Sequence, residues 1–288
     1  MTTLVFGAGF LGERLARCLP RAALARGVDI SDRQAVLSAL RAHAPTAAVN
    51  AAGKTGRPNV DWCEAHPLET SRANVTGALV LAEACAELGV HLLHLGSGCI
   101  FYGPSPSPGG WREDDFANPT SFYSRTKYAA DLVLSRLPNI AVVRLRMPID
   151  TAPGPRNLIT KLAGYSQVID VENSVTIVPD LVEVVGALLE RRATGVFHAT
   201  NPGPVRHTQL LALYRRFVNP DHRFTLIAED ELVRRGLATR ARSNCILANE
   251  RLESLGVRMR PSEAALTDVF RQYAAAVAAG KTAAGGHG

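Results

Sequence analysis

Residues 91–103 read HLLHLGSGCIFYG and residues 121–127 read SFYSRTK; these two runs decide the fold. The first opens as a buried strand, with Leu92, Leu93 and Leu95 set among His91 and His94. It ends at Gly96-Ser97-Gly98, where glycines let the backbone turn and approach a ligand. The second run continues into Ala129–Leu137 and predicts a helix, which puts Tyr123 and Lys127 on one face, four residues apart. A strand-end hydroxyl with a Tyr and a Lys on one helix face is an acid–base device. The ammonium is expected to lower the tyrosine pKa, and Tyr123 can then exchange a proton with a carbonyl or alcohol oxygen that Ser97 also holds. Alone, Tyr-x-x-x-Lys fits an ordinary helix surface equally well. It gains meaning only beside a dinucleotide site.

Such a site is written at the start of the chain. Thr3–Phe6 is a short apolar strand, followed by Gly7-Ala-Gly9-Phe10-Leu11-Gly12 and a helix to about Leu19. Strand, glycine turn and helix are the context that G-x-G-x-x-G requires. Gly7 permits the turn, Gly9 the approach of a pyrophosphate, and Gly12 close helix–strand packing. A weak second strand, Ala22–Ala25, lies between Arg21 and Arg26 with no acid closing it. An arginine there accommodates a 2′-phosphate, so NADPH is expected over NADH, with NADH still open. Ser31 reads as the N-cap of a helix to His43, with Gln34 at the capping-box position. Thr46–Asn50 is a third strand, and the small residues Asn50-Ala51-Ala52-Gly53 at its end let a ligand lie against the backbone.

A polar loop with Trp62 and Cys63 precedes a long helix, Glu69–Leu88, in which Asn74 could brace the sheet or a water near Lys127. Residues 103–120 are rich in Pro, Gly and Ser and read as a flap over the site. A fifth strand, Ala141–Leu145, ends in Arg146-Met147-Pro148. Beyond residue 150 the alternation loosens. Helices are expected near 157–164, 180–191, 207–217, 228–235 and 261–279, with short strands at 167–171, 176–178 and 196–198. The fold class is therefore α/β: a Rossmann-like doubly wound parallel sheet with a smaller C-terminal α+β substrate lobe. Residues 1–150 form the NADP-binding part, 151–278 a lobe interleaved with it, and 279–288 a flexible tail.

Bulk composition narrows the function classes. The chain has 288 residues, 47% of them apolar, without an apolar run near the roughly 20 residues that span a bilayer. The N-terminus enters a strand directly, with no basic n-region, so a soluble cytoplasmic protein is expected. The cysteines, Cys18, Cys63, Cys85, Cys99 and Cys245, are odd in number and form no C-x-x-C, which argues against a disulfide framework or a zinc site; no metal is expected. The net charge of +6 is scattered and aromatics are only 6%, unlike a nucleic-acid surface. A mildly basic surface suits anionic small molecules.

Taken together, Gly7–Gly12, Asn50–Gly53, Ser97, Tyr123 and Lys127 resemble an extended short-chain dehydrogenase/reductase. NAAGKTGRPNVDWCE (50–64), GSGCIF (96–101), SFYSRTK, RMPI (146–149), PRNLITK (155–161), TNPG (200–203) and RSN (242–244) are similar to the nucleotide-sugar epimerase/reductase that completes rhamnose synthesis in plants. They are more distantly similar to bacterial dTDP-4-dehydrorhamnose reductase. The resemblance covers roughly residues 1–275 and implies an NADPH-dependent 3,5-epimerase/4-ketoreductase acting on a UDP- or dTDP-4-keto-6-deoxyglucose. It assigns reduction to Ser97, Tyr123 and Lys127, and epimerisation to Cys99 and Lys161. It further implies cofactor contacts from Gly7, Gly9, Phe10, Leu11, Gly12, Arg26, Asn50, Ala51, Ala52, Gly53, Tyr123, Lys127 and Met147. Substrate contacts are implied for Lys54, Thr55, Arg57, Asn59, Ser97, Cys99, Arg156, Asn157 and Arg242. A homodimer is compatible with it. Two departures stand out: the glycine loop is one residue shorter than the usual G-x-x-G-x-x-G, and Lys54 replaces a small apolar side chain. The rival readings are a reductase without epimerase activity and a non-catalytic dinucleotide-binding subunit.

Overall fold

The computed structural model describes residues 1–285. In chain order, β1 (Thr3–Phe6), α1 (Phe10–Cys18), β2 (Ala22–Ala25), α2 (Arg33–His43) and β3 (Ala47–Asn50) come first. Short helices α3 (Trp62–Ala65) and α4 (Pro67–Ser71) lead through a π-helical turn, Arg72–Thr76, into α5 (Gly77–Glu87). Next are β4 (His91–Ser97), a 3₁₀ turn at Gly98–Ile100, α6 (Phe122–Leu134) and β5 (Ile140–Leu145). The second half holds β6 (Pro148–Ile149), α7 (Leu158–Ala163), β7 (Gln167–Val168), β8 (Glu172–Ile177), α8 (Val178–Glu190) and β9 (Gly195–His198). It closes with β10 (Asn201–Arg206), α9 (His207–Phe217), β11 (Thr225–Leu226), α10 (Glu229–Arg234), α11 (Glu250–Ser254) and α12 (Ser262–Gly285).

Six parallel strands form the main sheet in the order β2-β1-β3-β4-β5-β9. Side chains alternate between its faces, as the strand period requires. Val5, Leu93, Leu95 and Val143 meet one apolar cluster, which includes Leu15 of α1 and Leu181, Val185 and Leu188 of α8. Leu4, Phe6, Leu92 and Val142 meet another, with Val36 and Leu40 of α2, Leu81 of α5 and Leu134 of α6. Covering both faces is why the strands read as near-continuous apolar runs. The strand order reverses between β1 and β3, and the crevice outside their carboxyl ends is where such sheets bind ligands. Gly7 and Asn50–Gly53 occupy that crevice.

The glycine turn has a steric cause. Gly7 has φ +99°, and a Cβ there would lie 2.4 Å from the Ala52 nitrogen. A Cβ at Gly12 would lie 1.9 Å from the Gly7 carbonyl oxygen. Only hydrogen fits at either point, so β1, α1 and the loop after β3 close on one another.

The smaller lobe is a three-stranded sheet, β10-β8-β6, and a two-stranded one, β11-β7. Its core gathers Ile149, Ile159, Leu162, Val175, Leu210, Val269 and Phe270. Residue 150 does not separate the two parts cleanly. The chain leaves the lobe after β8, packs α8 on the main sheet and adds β9 at its edge. Helix α8 buries Leu181, Val182, Val184, Val185, Leu188 and Leu189 in the cluster on its face of the sheet. Strand β10 was not expected, because Pro202 and Pro204 mask it; it is exposed at both and joins β8 with an irregular register.

Four sequence expectations change. The N-cap of α2 is Asp32, whose carboxylate accepts from the Gln34 and Ala35 nitrogens, whereas Ser31 turns its hydroxyl to Asp29. The helix expected at 69–88 is interrupted by the π turn that carries Asn74. Residues 103–120 are no free flap. The Trp111 nitrogen donates to the Ile246 carbonyl at 2.8 Å, the Ala248 nitrogen to the Trp111 carbonyl at 2.9 Å, and the Trp111 ring stacks on Phe101. Finally, α12 continues to Gly285, through residues expected to be a flexible tail, because this stretch is alanine-rich and alanine is the best helix former. Residues 286–288 of that tail lie outside the described residues.

Asp32→Ala is expected to cost about 1 kcal/mol of unfolding free energy, the usual value of an N-cap. Ser31→Ala, at the surface, should change stability by no more than about 0.5 kcal/mol. Denaturant unfolding of the two variants checks which residue caps α2.

Candidate active site

Three polar residues are buried together under the sheet's carboxyl end. Asn50 closes β3, His94 faces it from β4, and Lys127 reaches across from α6; their exposures are 0%, 1% and 4%. Asn50 Nδ2 lies 3.0 Å from His94 Nδ1, and Lys127 Nζ lies 3.0 Å from His94 Nε2 and 2.9 Å from the Leu95 carbonyl oxygen. The Ala52 nitrogen donates to Asn50 Oδ1, which sets the amide so that its NH₂ faces the imidazole. His94 Nδ1 then accepts, and the ring proton sits on Nε2, which can donate to Lys127 when the lysine is an uncharged amine. Burial, reinforced by Lys127, holds the His94 pKa well below its ordinary value, so the ring is neutral. Burial also brings Lys127 down to about 8, against the opposing pull of Asp131.

The bonds of Lys127 thus go to β4 rather than to Tyr123. The Tyr123 phenol is pushed above its usual range, first by burial and then by Cys99, with a Ser97 hydrogen bond opposing. A phenol kept protonated is suited to giving its proton to a ketone oxygen. Ser97 stands between the two functions: it touches Tyr123, and its Oγ also accepts from the Cys99 nitrogen at 3.2 Å.

Cys99 lies on the 3₁₀ turn after β4 and is half-buried. Lys161 lies on α7, also half-buried. Burial lowers the Lys161 pKa, the cations Arg156 and Arg242 lower it further, and Cys99 opposes them. Tyr123, Cys99 and Lys161 thus share one electrostatic neighbourhood although 62 positions separate the outer two in sequence, 161 − 99.

Other expected contacts are sorted by the fold. Arg156 Nη1 donates to Thr55 Oγ1 at 2.7 Å, and Arg242 makes a fork on Asp61 at 3.0 and 2.7 Å. Both bonds tie the loop after β3 to the lobe. Lys54 lies 3.9 Å from Glu69 and 5.2 Å from the Trp62 ring centroid. Arg57 is exposed, and Asn59 Oδ1 is taken by the Asp61 nitrogen. Asn157 is not placed to bind substrate. It is fully buried as the N-cap of α7; its oxygen accepts from Ile159 and its NH₂ donates to the carbonyls of Asp150 and Ala152. Met147, at φ +43°, packs against the lobe core. Arg26 is exposed and pairs with Glu13 of α1 at 3.2 Å.

The residues present fit a dinucleotide. Gly9 is the N-cap of α1 without a side-chain cap, and a Cβ built there meets nothing within 4 Å. An uncapped helix N-terminus opening on free space is an anion site. Ala51, Ala52 and Gly53 keep the facing wall low, and Asn74 braces it: Oδ1 accepts from the Lys54 nitrogen at 2.7 Å, while Nδ2 donates to the Lys54 carbonyl and to Thr126 Oγ1.

Two participants escaped the sequence. His94 resembles any buried strand histidine until Lys127 is seen beside it. Arg146, which touches Cys99, left a fainter signal: a charge inside the apolar run AVVRLRMPI.

Over residues 1–275 the chain matches the family model of the RmlD substrate binding domain. It is 43% identical over 197 residues to the bifunctional dTDP-4-dehydrorhamnose 3,5-epimerase/dTDP-4-dehydrorhamnose reductase of Arabidopsis thaliana, covering 66% of this chain and 65% of that protein. It is 37% identical over 238 residues to a trifunctional UDP-glucose 4,6-dehydratase/UDP-4-keto-6-deoxy-D-glucose 3,5-epimerase/UDP-4-keto-L-rhamnose-reductase of the same plant, covering 79% of this chain and 36% of that protein. The chain thus spans less than two thirds of the length of these plant relatives. The crystal structure of the L780 UDP-rhamnose synthase from Acanthamoeba polyphaga mimivirus superimposes with a TM-score of 0.87 at 28% identity, over 94% of this chain and 99% of that one.

The Lys127 ammonium should titrate near pH 8 in the folded protein rather than at the 10.5 of a free lysine. Between those values the unfolded chain binds more protons, so this lysine weakens the fold below about pH 8 and the penalty fades as pH rises toward 10.5. The ¹³Cε resonance of Lys127, followed from pH 6 to 11, checks the midpoint.

Proposed function

The chain belongs to the family of the RmlD substrate binding domain, and we propose that it is an NADPH-dependent 3,5-epimerase/4-ketoreductase. Its substrate on this reading is a nucleoside-diphosphate 4-keto-6-deoxyglucose, UDP- or dTDP-linked, and its product the matching L-rhamnose nucleotide. The observation that carries the proposal is that Cys99, on the turn after β4, acts electrostatically on both Tyr123 of α6 and Lys161 of α7. A reductase needs neither the thiol nor the half-buried amine; these two supply the further acid and base that inversion requires.

Carbons 3 and 5 flank the ketone, so their protons become acidic once the enolate oxygen is held. Ser97 and Tyr123 are the donors for that oxygen. Cys99 and Lys161 then work as a pair. One removes a proton and the other returns a proton to the opposite face. A lysine whose pKa is drawn down by burial and by Arg156 and Arg242 exchanges protons more readily near neutrality. Reduction follows when Tyr123 gives its proton to the carbon-4 oxygen.

NADPH would be held by Gly7–Gly12 and Asn50–Gly53, and when bound it supplies the hydride for carbon 4. Arg26 is placed at the end of β2, where it would meet a 2′-phosphate after exchanging its contact with Glu13.

The test mixes UDP- or dTDP-4-keto-6-deoxyglucose with NADPH and identifies the sugar by NMR; a 6-deoxy-L-mannose nucleotide is expected. Tyr123→Phe should lower ketone reduction by about a hundredfold or more with dinucleotide binding nearly intact. In D₂O this variant should still place deuterium at carbon 3 or 5, more slowly than wild type. Cys99→Ala should then abolish exchange at one or both carbons; unchanged product stereochemistry in Cys99→Ala would leave a plain reductase. Arg26→Ala should reduce the preference for NADPH over NADH by about tenfold, read as the ratio of kcat/KM values.

A further inference from the structure

Arg146 follows β5, beside the turn that carries Cys99, and is 2% exposed. Its Nη1 donates to Cys99 Sγ at 3.0 Å. Nε donates to Asn173 Oδ1 at 3.2 Å, and Nη2 donates to that same oxygen and to the Ser243 carbonyl. Its backbone nitrogen donates to Thr176 Oγ1 at 2.9 Å. The guanidinium is thus held from three sides, by β8, by the 243–245 loop and by the 3₁₀ turn.

A guanidinium has five N–H donors, no acceptor, and a permanent charge. Burying such a charge is costly unless an opposite charge stands near it. Among the described residues the Arg146 guanidinium has no carboxylate partner; its bonds go to an amide oxygen, a backbone carbonyl and a thiol sulfur. Two nearby groups can become anionic, Cys99 and Cys245. Cys245 is a poor candidate: it is buried, burial pushes its pKa up, and its Sγ donates to the Gly98 carbonyl at 3.3 Å. Cys99 is directly bonded and half open to the site.

We infer that Arg146 is the positioning residue of Cys99, aiming its sulfur and providing the counter-charge for the thiolate it becomes during proton transfer. The inference rests on the epimerase reading. In that reaction a C–H bond breaks, the proton goes to the base, and the electron pair is held on the enolate oxygen. A new C–H bond forms on the opposite face with the proton of the conjugate partner, and the pair returns from the enolate. Nothing is oxidised or reduced. Whether Cys99 gives or takes the proton, each cycle passes through its thiolate, and the nearest fixed cation is Arg146. Lys161 cannot serve in that role, because its own proton moves.

The experiment compares wild type, Arg146→Lys, Arg146→Gln, Cys99→Ala and the Cys99→Ala/Arg146→Gln double variant. Deuterium incorporation at carbons 3 and 5 is read beside ketone reduction, melting temperature and NADPH binding. Arg146→Gln should slow exchange about tenfold more than it slows reduction, the loss of one charge-assisted hydrogen bond. Arg146→Lys, which keeps the charge and loses the fork, should recover part of the exchange. The double variant should exchange no more slowly than Cys99→Ala alone. Equal losses of exchange and reduction in Arg146→Gln, or a further loss in the double variant, would mean a structural role and overturn the inference. A second arm needs no variant: iodoacetamide labelling of wild type, mapped by mass spectrometry, with exposed Cys18 as internal reference. Cys99 should label faster than Cys18 although it is less accessible; slower labelling overturns the inference even if no Arg146 variant folds. Wild type that reduces the ketone without exchanging deuterium overturns the epimerase reading and this role with it, whereas exchange that Arg146→Gln slows no more than it slows reduction overturns the role of Arg146 alone.

Discussion

The Nζ of Lys127 sits 3.0 Å from a neutral imidazole and 2.9 Å from a backbone carbonyl, buried between α6 and the sheet. That burial is the constraint from which the site follows. An ammonium there must be held or discharged, and the protein does some of each. The Leu95 carbonyl accepts from it, Asp131 favours its charge, and desolvation brings its pKa to about 8. Asp131 is in turn kept by Arg144 at 2.9 Å, on the strand that Arg146 follows. Buried polar chains of this kind are useful only when nearly every member is satisfied. Here they lock the ends of β3, β4 and β5 to α6, and so fix where Ser97, Cys99 and Tyr123 stand.

The two parts of the molecule meet through a small number of polar clasps. Arg242 on Asp61 and Arg156 on Thr55 bring the loop after β3 against the lobe. Trp111 fastens the 103–120 segment to residues 246–248. These bonds place Lys161, which belongs to the lobe, near Cys99, which belongs to the sheet. Cys99 sits at a strand end held by β4, while Lys161 sits on a short helix whose own start is fixed by the buried Asn157. A pair drawn from two structural units can face a ring from two directions, which inversion demands.

Much of this was legible in the chain. The glycine turn, the strand ends and the Tyr–Lys pair follow local rules of turn geometry and helix spacing. Errors arose where a residue's neighbour came from far away. Lys127 was assigned to Tyr123 because they are four residues apart, yet its bonds go to β4. Asn157 carried the look of a ligand-binding amide and proved to be a helix cap. Residues 103–120 had the composition of a flap, yet Gly103, Trp111, Glu113 and Thr120 tie them to distant parts of the chain. The prolines of β10 concealed a strand that an edge position tolerates.

The sequence by itself determined the α/β class, the dinucleotide-type first turn and the placing of Ser97 at a strand end and of Tyr123 and Lys127 on one helix, because each depends on periodicity or on contacts within a few positions. Tertiary structure decided which charges face one another. Desolvation, the Asn50–His94–Lys127 chain and the contact of Arg146 with Cys99 depend on strand order and on a lobe interleaved with the sheet, and no local pattern encodes the dielectric around a side chain.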